Sequence, residues 1–350
     1  MGKKGILLVN LGTPDSPSTS DVRKYLKEFL MDGRVIDIHP IPRTLLVKGI
    51  IVPFRGPKSA KLYQKIWHDR LGSPLMHYSK LQQKLLQQRL GPGYQVELAM
   101  RYQNPSIELA LNNLRSSGVS SIRVIALFPQ YASASTGSVY QKVMAILGKW
   151  PVIPDVSFVN HFYDNELMIE AFADNGAACK PQGYDHVLFS FHGVPQRHLA
   201  KSGCTLNHCN GESHCCEHLT GKNEFCYAAQ CYQTARLIAE RLGLLKTEYS
   251  VSFQSRLGND PWIQPYTSQT ITDLARAGKK RVLVFCPAFV SDCLETIYEI
   301  QVEGQETFLN AGGELLQLVP SLNDSPVWIE ALSGLASQGQ LKAEYETETI

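Results

Sequence analysis

The chain has 350 residues, of which 44% are apolar and 19% charged, with a formal charge of +2 at pH 7. This is the balance of a soluble globule long enough for about two domains of roughly 150 residues each. It lacks the strong basic bias of a nucleic-acid binder, and no apolar run approaches the ~18 residues of a membrane span.

The first predicted element follows Met1-Gly2-Lys3-Lys4 and runs Gly5-Ile6-Leu7-Leu8-Val9. An export signal needs an apolar stretch of roughly 7–15 residues and a small-residue cleavage site, so this shorter run reads as a strand. Ile6 stands where a myristoylation signal has Ser or Thr. A reducing, cytoplasmic location is the expectation. Further short apolar runs at Val96–Met100, Ile122–Phe128, His186–Phe191, Tyr249–Phe253, Arg281–Phe285 and Leu315–Val319 are bounded by Gly, Pro or polar residues, as buried parallel strands are. Between them, Pro105–Arg115, Gln230–Leu242 and Thr267–Ala277 repeat apolar residues at helical spacing. The alternation predicts an α/β fold.

The two halves echo each other. GILLVNLGTP near the start is matched by HVLFSFHGVP from His186, and AMRYQNP followed by VIALFPQYASAS is matched by SFQSRLGNDP followed by VLVFCPAFVSDC. A duplicated unit is expected: residues 1–153 form one Rossmann-like domain, 154–320 a second, and a last helix over 321–336 crosses back onto the first. Ligands of open α/β sheets bind outside the carboxyl ends of the strands. The facing ends would line a cleft with Asn10–Pro14, Arg101–Gln103, Pro129–Thr136, His192–Pro195, Gln254–Trp262 and Pro287–Glu295.

Within that cleft, Phe128–Ser138 is rich in small hydroxyl residues, more than helix capping requires. His192 ends its strand against Gly193 and Pro195; such a histidine is either an inert structural residue or, aimed into a cleft, a proton-transfer group near neutral pH. Trp262 adds an apolar wall, and the run Thr44–Phe54, broken by Lys48 and Gly49, suits an exposed amphipathic lip. On a helix started by Ser291 or Asp292, Glu295, Glu299 and Glu303 recur every four residues. The bland reading is a solvated face. At the end of a strand facing His192, the same ladder would bind a cation or pass protons, and crowding would raise at least one carboxylate pKa.

Six of the nine cysteines, at 204, 209, 215, 216, 226 and 231, crowd a polar segment that also holds His208, His214 and His218. In a reducing compartment such density points to metal rather than disulfides. Cys179, Cys286 and Cys293 are isolated and read as small buried hydrophobes.

SFHGVPQR, FQSRLGNDPWIQPYT, VLVFCPAF with SDCLETIYEI, FPQYASASTGS and LLVNLGTP closely resemble the motifs of the ferrochelatase family, in order and over nearly the whole chain. The resemblance implies two chelatase-type domains and insertion of Fe²⁺ into a porphyrin, with protoporphyrin IX the expected one. It implies His192 and Glu295 as catalytic and Fe²⁺-binding partners, with Asp292, Glu299 and Glu303 as an acidic path. Arg101, Tyr102, Tyr131, Ser133 and Thr136 fall where the family's porphyrin cleft lies, and Ile41–Phe54 where it meets porphyrin or a membrane surface, at the inner membrane face. Some ferrochelatases carry a [2Fe–2S] cluster. Here the insert at 201–229 would hold it with four of Cys204, Cys209, Cys215, Cys216 and Cys226, Cys231 being structural; Zn²⁺ is the alternative. Rival readings are a chelatase for another tetrapyrrole or metal, and a non-catalytic porphyrin or haem carrier with an iron–sulfur sensor. A homodimer is left open.

Overall fold

The protein is described by a computed structural model covering residues 2–201, 216, 219–256, 258 and 260–337. Among the described residues eight strands alternate with helices: β1 (Lys4–Gly12), β2 (Tyr94–Tyr102), β3 (Ser121–Ala126), β4 (Asp155–Val159), β5 (His186–His192), β6 (Tyr249–Gln254), β7 (Arg281–Phe285) and β8 (Leu315–Leu318). They form two parallel sheets in the orders β2-β1-β3-β4 and β6-β5-β7-β8. The second order is the first repeated four strands on, which is the topology of a duplicated unit.

The echo reaches hydrogen-bond detail. The Met100 N–H donates to the Pro105 carbonyl at 2.7 Å, and its counterpart Phe253 donates to the Pro265 carbonyl at 2.8 Å. Gly12 and Gly193, paired by GILLVNLGTP and HVLFSFHGVP, each sit where a neighbouring strand passes close. A Cβ on Gly12, whose φ is +123°, would lie 2.1 Å from the Tyr102 carbonyl oxygen; one on Gly193 would lie 2.8 Å from that of Gln254. Only a residue without a side chain fits either place.

One boundary differs from expectation. Asp155–Val159 pairs with β3 and closes the first sheet, so that sheet includes a strand beyond residue 153. Its sequence, DVSFV, alternates exposed and half-buried positions up to the buried Val159 because it is an edge strand, so it lacks the continuous apolar run of the central strands.

Ile6, Leu7, Leu8 and Val9 are all fully buried, but alternate residues enter different cores, as a two-residue period requires. Leu7 and Val9 meet the outer helices Ile107–Ser116 and Ser138–Leu147; Ile6 and Leu8 belong to a core shared with Phe189, Phe285 and Trp328 of the second half. The last helix, Pro326–Ser337, completes that shared core. Its Trp328 stacks on Phe162 at 5.8 Å, and its Glu330 pairs with Arg89 of the helix Pro74–Leu90 at 2.6 Å. Deeper in the same seam the Gln82 amide donates to the carbonyls of Asn323 (2.7 Å) and Val290 (3.3 Å) and to Ser291 Oγ (3.0 Å). This polar latch joins the halves.

Candidate active site

His192 ends β5 and is in register with Gln254 at the end of β6. Its Nδ1 lies 2.6 Å from the Gly193 carbonyl. A carbonyl only accepts, so Nδ1 carries the proton and Nε2 keeps its lone pair for a proton or a metal. The ring is flanked by Trp262 at 6.4 Å and Phe289 at 6.2 Å, and Tyr227 Oη fixes the His192 carbonyl at 2.7 Å. Burial among these groups holds the imidazole pKa below its ordinary value, while the charge of Glu295 and the Gly193 carbonyl pull it back up. The imidazole is therefore neutral at pH 7.

The acidic ladder rises from the end of β7 on a π-helical segment, Leu294–Gly304, in place of the α-helix that its spacing suggests. Hydrogen bonds from i to i+5 widen each turn, and such segments are rare and concentrate at functional sites. Its start is set by Cys293 and Thr296, whose Oγ1 accepts the Cys293 N–H at 3.0 Å, rather than by Ser291 or Asp292. Glu295 and Glu299 are half-buried and Glu303 is exposed. The Gln254 amide reaches the Glu295 carbonyl at 2.8 Å and Glu299 Oε2 at 3.2 Å, and Ser255 Oγ donates to the same Oε2 at 2.5 Å. Gln254 thereby ties the strand pair bearing His192 to the helix bearing the carboxylates. Burial and the charge of Glu295 raise the Glu299 pKa to about 7, against the lowering effect of the Ser255 and Gln254 hydrogen bonds. The expected raised carboxylate is Glu299.

Asp292 is spent differently. Its two oxygens accept from Thr296 Oγ1 (3.0 Å), the Ser321 N–H (3.3 Å) and Asn323 Nδ2 (2.7 Å), and it is buried. It anchors the loop before the π-helix to the loop after β8, beside the Gln82 latch.

On the first half, Ser133–Gly137 is also π-helical, which sequence spacing did not reveal. Tyr131 and Ser133 are part-exposed and line a cavity of about 670 Å³ with Arg34, Asp37, His198 and Phe225. Neither His192 nor Glu295 is in its lining. A second, small cavity joins Tyr131 and Ser133 to Val194 and Tyr227, next to His192. Two expected cleft residues do not reach a surface: Tyr102 and Thr136 are fully buried. Tyr102 packs against Phe29 and donates to Asp32 Oδ2 at 3.0 Å, so it backs the wall instead of facing it. Arg101 is tied to the same carboxylate at 2.5 Å and to Ser138 Oγ at 2.6 Å. Asp32 carried no signal in the sequence; it lies in the turn after the helix Thr19–Leu30, and only the fold brings it to Arg101. Trp262 is buried with its ring beside His192.

The lip is exposed as expected: Ile41, Leu45 and Phe54 are 65%, 70% and 71% accessible. The helix Val52–Ile66 below it meets the π-helix through Lys65, whose Nζ sits 4.9 Å over the Tyr298 ring. No described helix is long and apolar enough to cross a membrane.

Of the cysteines expected to hold a cluster, Cys204, Cys209 and Cys215 lie outside the described residues. Cys216 and Cys226 approach within 3.9 Å. Cys226 precedes the helix Tyr227–Arg241, and the Cys216 hydrogen bond lowers its pKa to about 6; burial opposes this, and the N–H groups of Ala229 and Ala228 assist it. Cys231, Cys286 and Cys293 are buried thiols whose pKa burial raises, consistent with packing roles. Among the described residues no group of three His, Cys, Asp or Glu is placed to hold a metal.

Comparison with known proteins agrees with the motifs. The sequence profile named Ferrochelatase matches residues 3–340. Ferrochelatase of Legionella pneumophila (strain Lens) is 44% identical over 341 residues, covering 96% of this chain and 99% of its own. Ferrochelatase of Coxiella burnetii (strain Dugway 5J108-111) is 42% identical over 340 residues, 96% and 94% of the respective chains. SirB from Bacillus subtilis with Fe³⁺ shares the fold at a TM-score of 0.55, with 12% identity over 97% of each chain. Profile, relatives, paired parallel sheets and the order of the motifs agree: this chain belongs to the ferrochelatase family.

Proposed function

We propose that the chain catalyses replacement of the two pyrrole protons of a porphyrin by Fe²⁺, releasing haem and two protons, with His192 and Glu295 at the reacting centre. The reaction needs a base, ligands weak enough to surrender iron, and an exit for protons. A neutral imidazole with a free Nε2 meets the first need, and Glu295, Glu299 and Glu303 offer hard oxygens on a line from cleft to solvent. The observation that carries this reading is Gln254, which joins the end of the His192 strand pair to both Glu295 and Glu299. Arg101, Tyr131, Ser133 and Trp262 are the porphyrin-facing set in this reading, with Tyr102 and Thr136 behind it. The exposed lip of Ile41, Leu45 and Phe54 fits a macrocycle or a membrane surface.

The thiol chemistry fits a metal cluster in the insert. Cys226, deprotonated near neutral pH at a helix start and within 3.9 Å of Cys216, suits a shared metal centre, with the remaining ligands among Cys204, Cys209 and Cys215. A [2Fe–2S] cluster held there would supply a redox-sensitive brace; Zn²⁺ would supply the brace without redox sensitivity. Absorption spectra of protein purified without oxygen distinguish the two, and Cys226→Ser should abolish either.

The activity test is ferrous-iron insertion by His192→Ala and Glu295→Gln alongside porphyrin binding by fluorescence quenching. A loss of about 10²–10⁴-fold in insertion with porphyrin affinity preserved is expected. Unchanged turnover in His192→Ala would overturn the assignment.

A further inference from the structure

Gln254 is the end of a buried polar chain that the reaction as outlined does not use. Ser190 Oγ lies 2.7 Å from Gln254 Oε1 and 2.9 Å from Thr267 Oγ1, which in turn lies 2.8 Å from Ser252 Oγ. All four residues are buried, Ser190 and Ser252 completely. Elementary hydrogen bonding fixes the direction of every proton in the chain. The Glu295 carbonyl can only accept, so the atom of Gln254 facing it must be the NH₂, and Oε1 must face Ser190. Ser190 has one hydroxyl proton and donates it to Oε1. It therefore accepts from Thr267, and Thr267, its own proton committed, accepts from Ser252. Three hydroxyl side chains and the Glu295 carbonyl lock a single amide orientation.

The locked amide has a consequence for the ladder. Both its NH₂ and the Ser255 hydroxyl donate to Glu299 Oε2, so that oxygen is doubly occupied, while Oε1 accepts no hydrogen bond from the described residues. Around this carboxylate stand Glu295 and Glu303 of its own helix and Cys286 at the end of β7, none of which is a cation. We propose that Gln254, held by the Ser252–Thr267–Ser190 chain, is a positioning residue for metal insertion that fixes the Glu299 carboxylate with one oxygen engaged and the other open to the path. This inference rests on the assignment of His192 and Glu295 to the reacting centre. An amide is suited to the task because it accepts at one end and donates at the other; neither a carboxylate nor an alkyl group of the same size does both.

The test is steady-state ferrous-iron insertion by Gln254→Glu, Gln254→Met, Ser190→Ala and Ser252→Ala, with the KM for porphyrin and the thermal midpoint measured for each and His192→Ala run in parallel. Gln254→Glu puts an acceptor where two acceptors already lie and should lower kcat about 100-fold; Gln254→Met, which loses the donor without adding charge, about 10-fold. Ser190→Ala should cost roughly 3-fold and Ser252→Ala less, with the porphyrin KM constant throughout. The grading along the chain separates positioning from bulk stability, because the buried hydroxyl variants would shift the midpoint without following that order in kcat. If Gln254→Glu fails to fold, Gln254→Met alone decides. A kcat within twofold of wild type in Gln254→Met, or losses that track the thermal midpoint and not distance along the chain, would overturn the proposal. An active His192→Ala would instead sink the underlying assignment, while an inactive His192→Ala beside neutral Gln254 variants sinks this inference only.

Discussion

The two halves use one topology and place a π-helical turn after the same strand, yet they fill it with opposite chemistry. In the first, Ser133–Gly137 is short, uncharged and stitched to its surroundings by Arg34 and by Ser138, whose hydroxyl reaches Asp32 at 2.5 Å. In the second, Leu294–Gly304 is twice as long and carries three carboxylates with no cation paired to them among the described salt bridges. The buried acids follow suit. Burial pushes the Asp32 carboxyl up, but hydrogen bonds from Ser138 and the Arg34 N–H and the charge of Arg101 outweigh it and hold the group below its ordinary value. Glu299 lacks such a cation and is raised to about 7. Duplication supplied two equivalent scaffolds; one half became a neutral wall and the other a proton-holding edge.

If the halves share a backbone requirement at the strand ends, the largest effect will come from the glycine where that requirement is strictest. Gly12→Ala would set a Cβ 2.1 Å from the Tyr102 carbonyl at a φ of +123°, which no local shift relieves. A loss of about 3–5 kcal/mol in urea unfolding is expected. Gly193→Ala should cost less, since the nearest backbone contact is 2.8 Å and φ lies outside the left-handed region. Equal losses would break the ranking.

The two acids give opposite pH dependence. Asp32 has a folded pKa below its unfolded value, so its contribution is present above roughly pH 4 and is lost as pH falls through the folded pKa. Asp32→Asn should therefore cost about 3 kcal/mol at pH 7, because Arg101 is left without its charge partner, with the deficit shrinking toward acid. Glu299 has a folded pKa above its unfolded value. Its favourable contribution is complete below about pH 4.5 and disappears as pH rises through about 7. Glu299→Gln should accordingly match wild type near pH 5 and exceed it at pH 8 by an amount on the order of 2 kcal/mol. Chemical denaturation at the three pH values checks both signs, and a Glu299→Gln variant less stable than wild type at pH 8 would contradict the contrast between the halves.

The sequence made the repeat and the central strands legible, because continuous apolar runs and strand-end motifs are local signals. Elements whose identity depends on partners were hidden. DVSFV is a strand only because β3 lies beside it, and Asp32 matters only because Arg101, Tyr102 and Ser138 converge on it from β2 and the start of the helix Ser138–Leu147. The four-residue spacing of Glu295, Glu299 and Glu303 was visible, but both α and π turns bring such residues near one another, so periodicity alone did not reveal the wider helix. Tyr102 is buried and not at the cleft surface for a related reason: motif position gives the strand end, whereas burial depends on Phe29 and Asp32 packed against it.

The smallest effect tests how freely the first half's turn could have been elaborated. Motif alignment sets Gly137 opposite Glu295. A Cβ there would lie 3.1 Å from Arg34 Nη1 and 3.2 Å from Tyr131 Oη, the ends of two long side chains at a part-exposed wall. Its backbone, at φ −63° and ψ −38°, accepts any L-residue, so the entropy gained by replacing glycine offsets the slight crowding. Gly137→Ala should leave stability within about 0.5 kcal/mol of wild type. A loss above about 1.5 kcal/mol would mean that Arg34 and Tyr131 are as immobile as Gln254. The neutral wall would then be held as tightly as the acidic edge, and the contrast between the halves would lie in charge alone.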